Sequence, residues 1–279
     1  AAELTANFEA QAAARAGVEA ALLDALTRSW EIPLYQLFGG ASTQVETDIT
    51  IPIVAPEHVT ELARDYAARG ATTLKLKVGV DVEEDADRVL AAVEGAPDCD
   101  YIIDGNQGYT PGEALDLLQQ LAAEDVRPVL FEQPVHRHDL EGLRFVTERA
   151  GVPVAADEAV HTAADALRVV RLGAASAINI KLMKSGIVEA LEIAAICRAA
   201  HLQLMVGAMM ESRLGTATSA HFIAGLGGFT YVDLDTPMLL AEDPFEGGFE
   251  QTGMVYSLAG VRAGLGVIQR ELVIEEDEQ

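Results

Sequence analysis

The sequence predicts a closed parallel β/α barrel, and three observations lead to this fold class. The chain has 279 residues, and one such barrel commonly takes roughly 200–250 residues as a single domain. From residue 47 onward, short apolar strands alternate with amphipathic helices, joined by short connections. Several strands end in a charged residue, at the end where barrels of this kind carry their functional residues. We therefore expect a TIM-like (β/α)7β barrel.

Eight strands and seven intervening helices account for this rhythm. In the first strand, 47–53, Ile49, Ile51 and Ile53 alternate, which puts Asp48 and Thr50 on the other face. The later strands are predicted at 73–78, 101–104, 128–132, 152–157, 177–181, 202–207 and 229–233. The helices between them are predicted at 56–69, 82–93, 111–123, 140–149, 163–172, 188–200 and 214–224.

The two ends of the chain depart from the β/α rhythm. A helix is predicted from Asn7 to Arg28, since its apolar positions recur near every 3.6 residues and alanine is abundant. Beyond residue 237 the chain is rich in glycine, with possible short strands at 248–256 and 272–274 and an acidic tail.

Composition excludes some classes of function. The formal net charge of −25 and pI of about 4.4 argue against nucleic acid, whose phosphates would be repelled. No run of about 18 uncharged apolar residues predicts a membrane span, and no basic-then-apolar leader is seen at the N-terminus. Cys99 and Cys197 are therefore interpreted as reduced thiols of a cytoplasmic protein.

Three carboxylates end three successive strands. Asp104, Glu132 and Asp157 are each separated by about one strand–helix unit. If the strands lie side by side and parallel, these side chains converge at one end of the sheet, where they would repel each other without a cation between them. Hard oxygen ligands without nearby His or Cys suit Mg²⁺ better than Zn²⁺. A single strand-end carboxylate often only caps a turn, but three at matching positions predict a magnesium site.

Two lysines share one face of the second strand. Lys75 and Lys77 flank Leu76. Because side chains alternate along a strand, both lysine side chains point toward the barrel interior or both point toward the helices. Two ammonium groups would not pack against helices, although a solvated edge strand would also accept them. Their mutual repulsion and burial would lower the pKa of each toward neutrality. A lysine tuned in this way can act as a general base.

Lys181 ends the sixth strand, across the barrel from the second, with the three acids between. A substrate bound at those acids would have Lys77 on one face and Lys181 on the other. Two bases on opposite faces of one carbon permit removal of a proton from one side and its return from the other, which inverts a stereocentre. Lys184 is interpreted as a loop or helix N-terminal residue.

Asp233 and Asp235 flank Leu234 at the end of the eighth strand. Their spacing places both carboxylates on one side of the chain. They are expected to lie too far round the barrel to be obvious ligands of the same metal. A pair of carboxylates facing a pocket suits a cationic group such as a substrate ammonium, although Asp235 is also explained by the turn that Thr236 and Pro237 begin.

Together these motifs resemble the enolase superfamily, in its muconate lactonizing enzyme subgroup. The resemblance is carried by the Lys-x-Lys pair, the three strand-end acids and the segment Asn179-Ile180-Lys181-Leu182-Met183-Lys184-Ser185-Gly186. Val232-Asp233-Leu234-Asp235-Thr236-Pro237 looks like the Asp-x-Asp motif of the dipeptide epimerases, which binds the substrate's α-ammonium. The resemblance runs from about Asn7 to the C-terminal region.

The resemblance implies a role for each candidate residue. Asp104, Glu132 and Asp157 would hold Mg²⁺, and Lys77 and Lys181 would be the acid/base catalysts of L,L to L,D epimerisation through an enediolate. Lys75 would lower the pKa of Lys77 and contact the substrate carboxylate. Asp233 and Asp235 would bind the amine. The remaining expected pocket residues are Thr50, Ala208 and Met210, with Glu211 as a polar residue in the same loop. A homo-oligomer is also implied.

The resemblance also implies a division of the chain. Residues 1–40 would be a helical remnant of the capping region, 41–237 the barrel, and 238–279 a segment packing on barrel and cap. Family members carry an α/β capping domain whose N-terminal part precedes the helix at Asn7, and its loops close over the substrate. Only part of that cap is expected here, so exclusion of water and choice of side chain depend on what covers the barrel.

Other functions fit some of these features. Cycloisomerisation of a muconate, or dehydration to an o-succinylbenzoate-like product, would use a similar enolate, but an anionic substrate without an amine has no use for Asp233 and Asp235. A catalytically silent barrel is a second alternative, which failure to bind Mg²⁺ would favour. A Schiff-base aldolase is disfavoured because that chemistry needs a lysine but no metal triad.

Overall fold

The structure, a computed structural model, describes residues 11–271. Its centre is a sheet of eight parallel strands in the order β2 to β9, each paired with its neighbours along the chain. These strands are β2 (Ile49–Ile51), β3 (Thr73–Lys77), β4 (Asp100–Asp104), β5 (Leu130–Glu132), β6 (Val154–Ala156), β7 (Ala177–Ile180), β8 (Gln203–Gly207) and β9 (Tyr231–Asp233). Most are one to four residues shorter than predicted, so Asp157 and Lys181 lie just beyond their strands.

Helices separate the strands as predicted. The helices are α1 (Ala12–Ser29), α2 (Leu34–Leu37), α3 (Pro56–Ala68), α4 (Val82–Gly95), α5 (Pro111–Ala123), α6 (Leu140–Thr147), α7 (Ala163–Leu172), α8 (Leu182–Ser185), α9 (Ile187–Ala199), α10 (Arg213–Leu226) and α11 (Thr236–Leu239). The single turn α8 directly after Lys181 was not predicted. Within residues 11–271, no helix combines the length and apolar character that a membrane crossing needs.

The sheet closes on itself between its first and last strands. The Asp48 amide donates to Val232 O at 2.9 Å, and the Thr50 amide donates to Asp235 Oδ2 at 2.7 Å. The second bond puts a side-chain oxygen where a strand would offer a backbone carbonyl. The predicted (β/α)7β barrel is therefore confirmed, and its seam runs beside Asp235.

The interior of the barrel explains where the candidate residues lie. A small apolar cluster fills it, formed by Ile102, Leu130, Ala155, Ala177 and Met205. Because side chains alternate along a strand, the residue two positions further on faces inward as well, one layer nearer the C-terminal end. Those next residues are Asp104, Glu132, Asp157, Asn179 and Gly207. The apolar layer is thus the floor beneath the predicted site.

The ends of the chain add short antiparallel pairings outside the barrel. The predicted strand at 248–256 is wrong as one element, because it forms the hairpin β11 (Glu250–Thr252) and β12 (Val255–Ser257), with Gly253 at φ 57° in the turn. β12 also pairs with β1 (Gln44–Glu46), and β10 (Phe245–Gly247) pairs with β13 (Val267–Gln269). The predicted helix start at Asn7 and the predicted strand at 272–274 lie outside the described residues.

Candidate active site

All four lysines of the chain lie against the three predicted metal ligands. Lys75 Nζ lies 3.1 Å from Asp104 Oδ2 and 2.8 Å from Glu132 Oε2. Lys77 Nζ donates to Asp104 Oδ2 at 2.7 Å. The other two lysines sit at the opposite end of the carboxylate row. All the lysines of the sequence therefore lie in this one part of the molecule.

At that opposite end, two ammonium groups hold Asp157. Lys181 Nζ lies 2.8 Å from Asp157 Oδ2. Lys184 donates to Asp157 Oδ1, to the Asp157 carbonyl and, at 3.1 Å, to Asn179 O. The interpretation of Lys184 as a loop or helix N-terminal residue fits its backbone, which lies in α8, but misses its buried side chain, which contacts Asp157. Burial opposes ionisation of Asp157, but Lys184 and then Lys181 hold its pKa below the usual value.

The three predicted ligands have the chemistry that a magnesium ion requires. Asp104, Glu132 and Asp157 are all buried and offer only hard oxygen donors. Glu132 Oε2 receives no hydrogen bond of good geometry, and burial together with the neighbouring Asp104 carboxylate raises the pKa of Glu132 to about 7. That crowding is what a cation among the three would relieve. The residues therefore fit Mg²⁺, although their oxygens are not among the described carboxylate groups that lie within 4.8 Å of one another.

The expected fall in the pKa of Lys75 is contradicted. Burial does act to lower the pKa of Lys75, but the carboxylates of Asp233, Glu132 and Asp104 outweigh it and raise the pKa well above its ordinary value. Burial likewise opposes the charge on Lys181, and Asp157 followed by Glu132 raises the pKa of Lys181. For Lys75, the opposite charges on neighbouring strands outweigh the like charge on its own strand, which the pattern of a single strand does not show.

The absence of a side chain at Gly207 leaves room for the Lys181 side chain. A Cβ on Gly207 would lie 2.8 Å from Asn179 Nδ2 and 3.0 Å from Lys181 Cε. Asn179 in turn donates from Nδ2 to Glu132 Oε1 at 2.5 Å. Gly207 therefore serves by lacking a side chain, so that Asn179 and Lys181 can both face the carboxylates.

The Asp-x-Asp segment is joined to the predicted metal ligands through Lys75. Asp233 Oδ2 accepts a hydrogen bond from Lys75 Nζ at 2.6 Å, and that same Nζ contacts Glu132. Lys75 thus links Asp233 to the predicted metal ligands, whereas the carboxylates grouped with Asp233 are those of Asp48 and Asp235. That Asp233 and Asp235 are not ligands of the same metal stays a prediction. Asp235 accepts from the Thr50 amide, and burial followed by the Asp233 charge raises the pKa of Asp235 to about 6.

The three weaker pocket candidates have different positions. Thr50 lies beside Asp235 through its amide, and the Ala208 amide donates to Asp233 O at 2.8 Å. Met210 is 72% exposed and lines a cavity of about 420 Å³ between α1 and the start of α10. Glu211 lines the same cavity and accepts from the Met209 amide at 3.0 Å. Met210 is thus not brought into the lysine–carboxylate network.

Residues outside the predicted set also shape the site. Asp48 lies with Asp233 and Asp235 in a cluster whose carboxylate atoms come within 4.8 Å of one another. Gln133 Oε1 accepts from the Asp157 amide at 2.8 Å and so fixes the chain that carries that ligand. The alternation along the first strand could have indicated Asp48, which shares the face of Thr50. No comparable signal marked Gln133.

Helix α1 fixes the turn that follows Lys181. Glu19 Oε2 accepts from the Ile187 and Val188 amides at the start of α9, and Arg15 donates to Ser185 O. Arg15 and Glu19 are both buried. A carboxylate at a helix N-terminus satisfies amides that the helix itself leaves free. The N-terminal helix thereby supports the segment from which Lys181 and Lys184 reach the acids.

The chain matches a known family over most of its length. The family model described as enolase C-terminal domain-like covers residues 46–272. A Populus trichocarpa protein named L-Ala-D/L-amino acid epimerase is 47% identical over 268 residues, which are 94% of this chain and 63% of that protein. An aromatic dipeptide epimerase of Herpetosiphon aurantiacus is 49% identical over 257 residues, 92% of this chain and 72% of the relative. The chain therefore spans less than two thirds of the Populus protein.

Solved structures of dipeptide epimerases are also similar to this chain. A substrate-liganded complex of the L-Ala-D/L-Glu epimerase from Bacillus subtilis superposes with a TM-score of 0.89 at 38% identity, over 92% of this chain and 72% of that one. The dipeptide epimerase from Enterococcus faecalis V583, complexed with Mg and the dipeptide L-Leu-L-Tyr, superposes with a TM-score of 0.86 at 40% identity, over 90% and 72%.

Proposed function

This chain belongs to the enolase C-terminal domain-like family, and we propose from that premise that it is a magnesium-dependent dipeptide epimerase. The reaction would convert L,L-dipeptides to L,D-dipeptides by a two-base 1,1-proton transfer through an enediolate. The observation that carries the proposal is the placement of Lys77 against Asp104 and Lys181 against Asp157. The two lysines therefore flank one row of carboxylates from opposite ends.

Asp104, Glu132 and Asp157 would hold Mg²⁺. Their burial and all-oxygen donor set support this assignment, as does the magnesium in the structure of the Enterococcus faecalis relative. The bound ion would supply positive charge beside the substrate carboxylate and so offset the negative charge that develops when the α-proton leaves.

Differences in exposure support the roles that we propose for the lysines. The Lys77 side chain is 29% exposed, whereas that of Lys75 is 1% exposed. Lys77 can therefore reach a substrate and exchange its proton, while Lys75 stays among the carboxylates and positions them. The Lys181 side chain is 8% exposed at the other end of the row. We assign proton removal and return to Lys77 and Lys181, one on each face of the α-carbon.

Asp233 and Asp235 would receive the α-ammonium of the dipeptide. Both carboxylates are buried in one cluster, where a substrate cation would be stabilised by charge that water screens little. This feature favours a dipeptide over a muconate or an o-succinylbenzoate precursor, since those anions carry no amine. The homo-oligomeric state and the cytoplasmic location stay predictions from the sequence.

A chromatographic assay tests the proposed function. The protein with Mg²⁺ is incubated with a pool of L,L-dipeptides, and the products are separated as diastereomers. We expect L,D-products inverted at the C-terminal residue, no inversion after chelation of the metal, and none with Lys77→Ala or Lys181→Ala. Full activity in either lysine variant would contradict the two-base scheme.

A further inference from the structure

The Asp48 carboxylate has no hydrogen-bond donor among residues 11–271. Its residue is 3% exposed, and neither Oδ1 nor Oδ2 accepts a hydrogen bond within residues 11–271. A buried carboxylate without a donor is costly, and the great majority of buried polar side-chain atoms in folded proteins are satisfied. The two free oxygens therefore require an explanation outside the protein's own donors.

The position of Asp48 indicates where that partner would sit. One carboxylate oxygen each from Asp48, Asp233 and Asp235 lie within 4.8 Å of one another. Asp233 and Asp235 already accept from N–H donors, the Lys75 ammonium at 2.6 Å and the Thr50 amide at 2.7 Å. Three acceptors placed about 2.8 Å from one nitrogen in tetrahedral directions are about 4.6 Å apart. The upper limit of 4.8 Å is therefore compatible with one ammonium nitrogen shared by the three carboxylates.

We propose that Asp48 is the third acceptor of the amine-binding end of the site, which selects a primary ammonium group over an N-methylated one. The inference rests on the proposed function, in which Asp233 and Asp235 receive the α-ammonium. A primary ammonium has three N–H donors, one for each carboxylate. An N-methyl group or an N-terminal proline replaces one donor with carbon and leaves one buried carboxylate unpaired. The substrate class is thus narrowed to dipeptides with an unmodified primary amine.

The charges around Asp48 favour a cationic occupant. Burial, followed by the Asp233 charge, raises the pKa of Asp48 well above its ordinary value, with smaller contributions from Asp235 and Glu132. Lys75 opposes them, but its ammonium is shared with Asp104 and Glu132. The Asp48 charge also acts on Tyr256, whose hydroxyl donates to Leu234 O at 2.7 Å and not to Asp48. A substrate cation would favour the ionised form of Asp48, which burial and the neighbouring carboxylates oppose.

Competitive binding in the presence of Mg²⁺ tests the inference. The probe is an equimolar pool of L,L-dipeptides that includes L-Leu-L-Tyr, mixed with the same pool carrying one N-methyl group, and the bound fraction is measured by equilibrium dialysis with mass spectrometry. Loss of one charge-assisted hydrogen bond weakens binding by about 10- to 150-fold, so the wild-type protein should prefer the primary amines by about that factor. In Asp48→Asn the preference should fall below about threefold.

A matched control removes the same charge elsewhere. Asp87 lies on α4, outside the barrel strands, and is exposed, so Asp87→Asn should keep the full preference. The inference would be overturned if the wild-type protein bound both kinds of dipeptide equally, or if Asp48→Asn kept the full preference. The wild-type measurement tests the inference by itself, even if the variant misfolds. Displacement of the amines by excess Mg²⁺ from the wild type, but not from Asp48→Asn, would overturn it in favour of a second metal site.

Binding and catalysis separate this inference from the proposed function. Selective binding of primary amines without any inversion would leave the inference standing and refute the epimerase proposal. Inversion of methylated and unmethylated dipeptides at equal rates would support the epimerase proposal and refute the inference about Asp48. Retention of no dipeptide at all would overturn both.

Discussion

The ammonium group of Lys75 lies 2.6 Å from Asp233 Oδ2, although the two residues are 158 positions apart in the chain. The same nitrogen lies 2.8 Å from Glu132 Oε2. One buried lysine therefore joins the proposed metal end of the site to the proposed amine end. Its charge offsets carboxylates from three strands, which explains why Lys75 is buried while Lys77 remains accessible.

Replacing Lys75 with Met should destabilise the protein strongly. The change leaves Asp104, Glu132 and Asp233 buried without their shared cation, and removal of one partner from a buried ion pair commonly costs about 3–5 kcal/mol. Added Mg²⁺ should restore part of the loss, since it would bring positive charge to two of the three acids. Urea unfolding with and without Mg²⁺ measures both effects.

An exposed ion pair provides the control for Lys75. Arg69, which caps the C-terminus of α3, lies 3.4 Å from Asp65 in that helix, and their side chains are 47% and 61% exposed. Arg69→Met should cost less than about 1 kcal/mol, because water screens such pairs. Equal unfolding free energies for the Lys75 and Arg69 variants would contradict the role assigned to Lys75.

A methyl group at Gly207 should slow catalysis without unfolding the protein. Its Cβ would lie 3.0 Å from Lys181 Cε and 2.8 Å from Asn179 Nδ2, so Lys181 must move. Misplacement of a catalytic group by about 1 Å can cost about 100-fold in rate, and we expect a 10- to 100-fold loss of inversion for Gly207→Ala. Gly17→Ala, on α1 with nothing within 4 Å of the new atom, should retain the wild-type rate. An unchanged rate in Gly207→Ala would exclude the packing argument.

Acid should destabilise the fold through His221. This residue is 0% exposed, its Nδ1 accepts from the Tyr35 amide at 3.0 Å, and burial lowers its pKa from 6.5 to about 4. The unfolded chain gains a proton near pH 6.5, whereas the folded chain gains it only near pH 4. The free energy of unfolding should therefore fall between pH 6.5 and 4, by about 3 kcal/mol in total from this group.

A substitution that cannot titrate isolates this contribution. His221→Gln keeps an acceptor for the Tyr35 amide, so the difference in unfolding free energy between the wild type and this variant should shrink as the pH falls from 7 to 4.5. His58→Gln, which changes an exposed histidine on α3, should show no such change. A difference between the wild type and His221→Gln that is independent of pH would refute the assignment.

Much of the fold and the carboxylate row could be predicted because both follow from local periodicity. The two-residue repeat that buries Ile102 also turns Asp104 inward. The pKa of Lys75 could not be predicted in this way, because it depends on carboxylates contributed by three other strands. The contact of Lys184 could not be predicted for a related reason: its backbone lies in α8, but its side chain reaches Asp157. The cluster of Asp48, Asp233 and Asp235 could not be predicted either, because it forms only when the first and last strands of the barrel meet, and no local pattern specifies that closure.

The two-base scheme is tested most directly by stereospecific exchange of the α-proton in D₂O. The wild-type protein with Mg²⁺ should incorporate deuterium into both an L,L-dipeptide and its L,D-diastereomer. Because Lys77 and Lys181 would serve opposite faces, Lys77→Met should exchange only one diastereomer and Lys181→Met only the other, and neither variant should interconvert them. Exchange of both diastereomers by either variant, or of neither by the wild type with Mg²⁺ bound, would contradict the account.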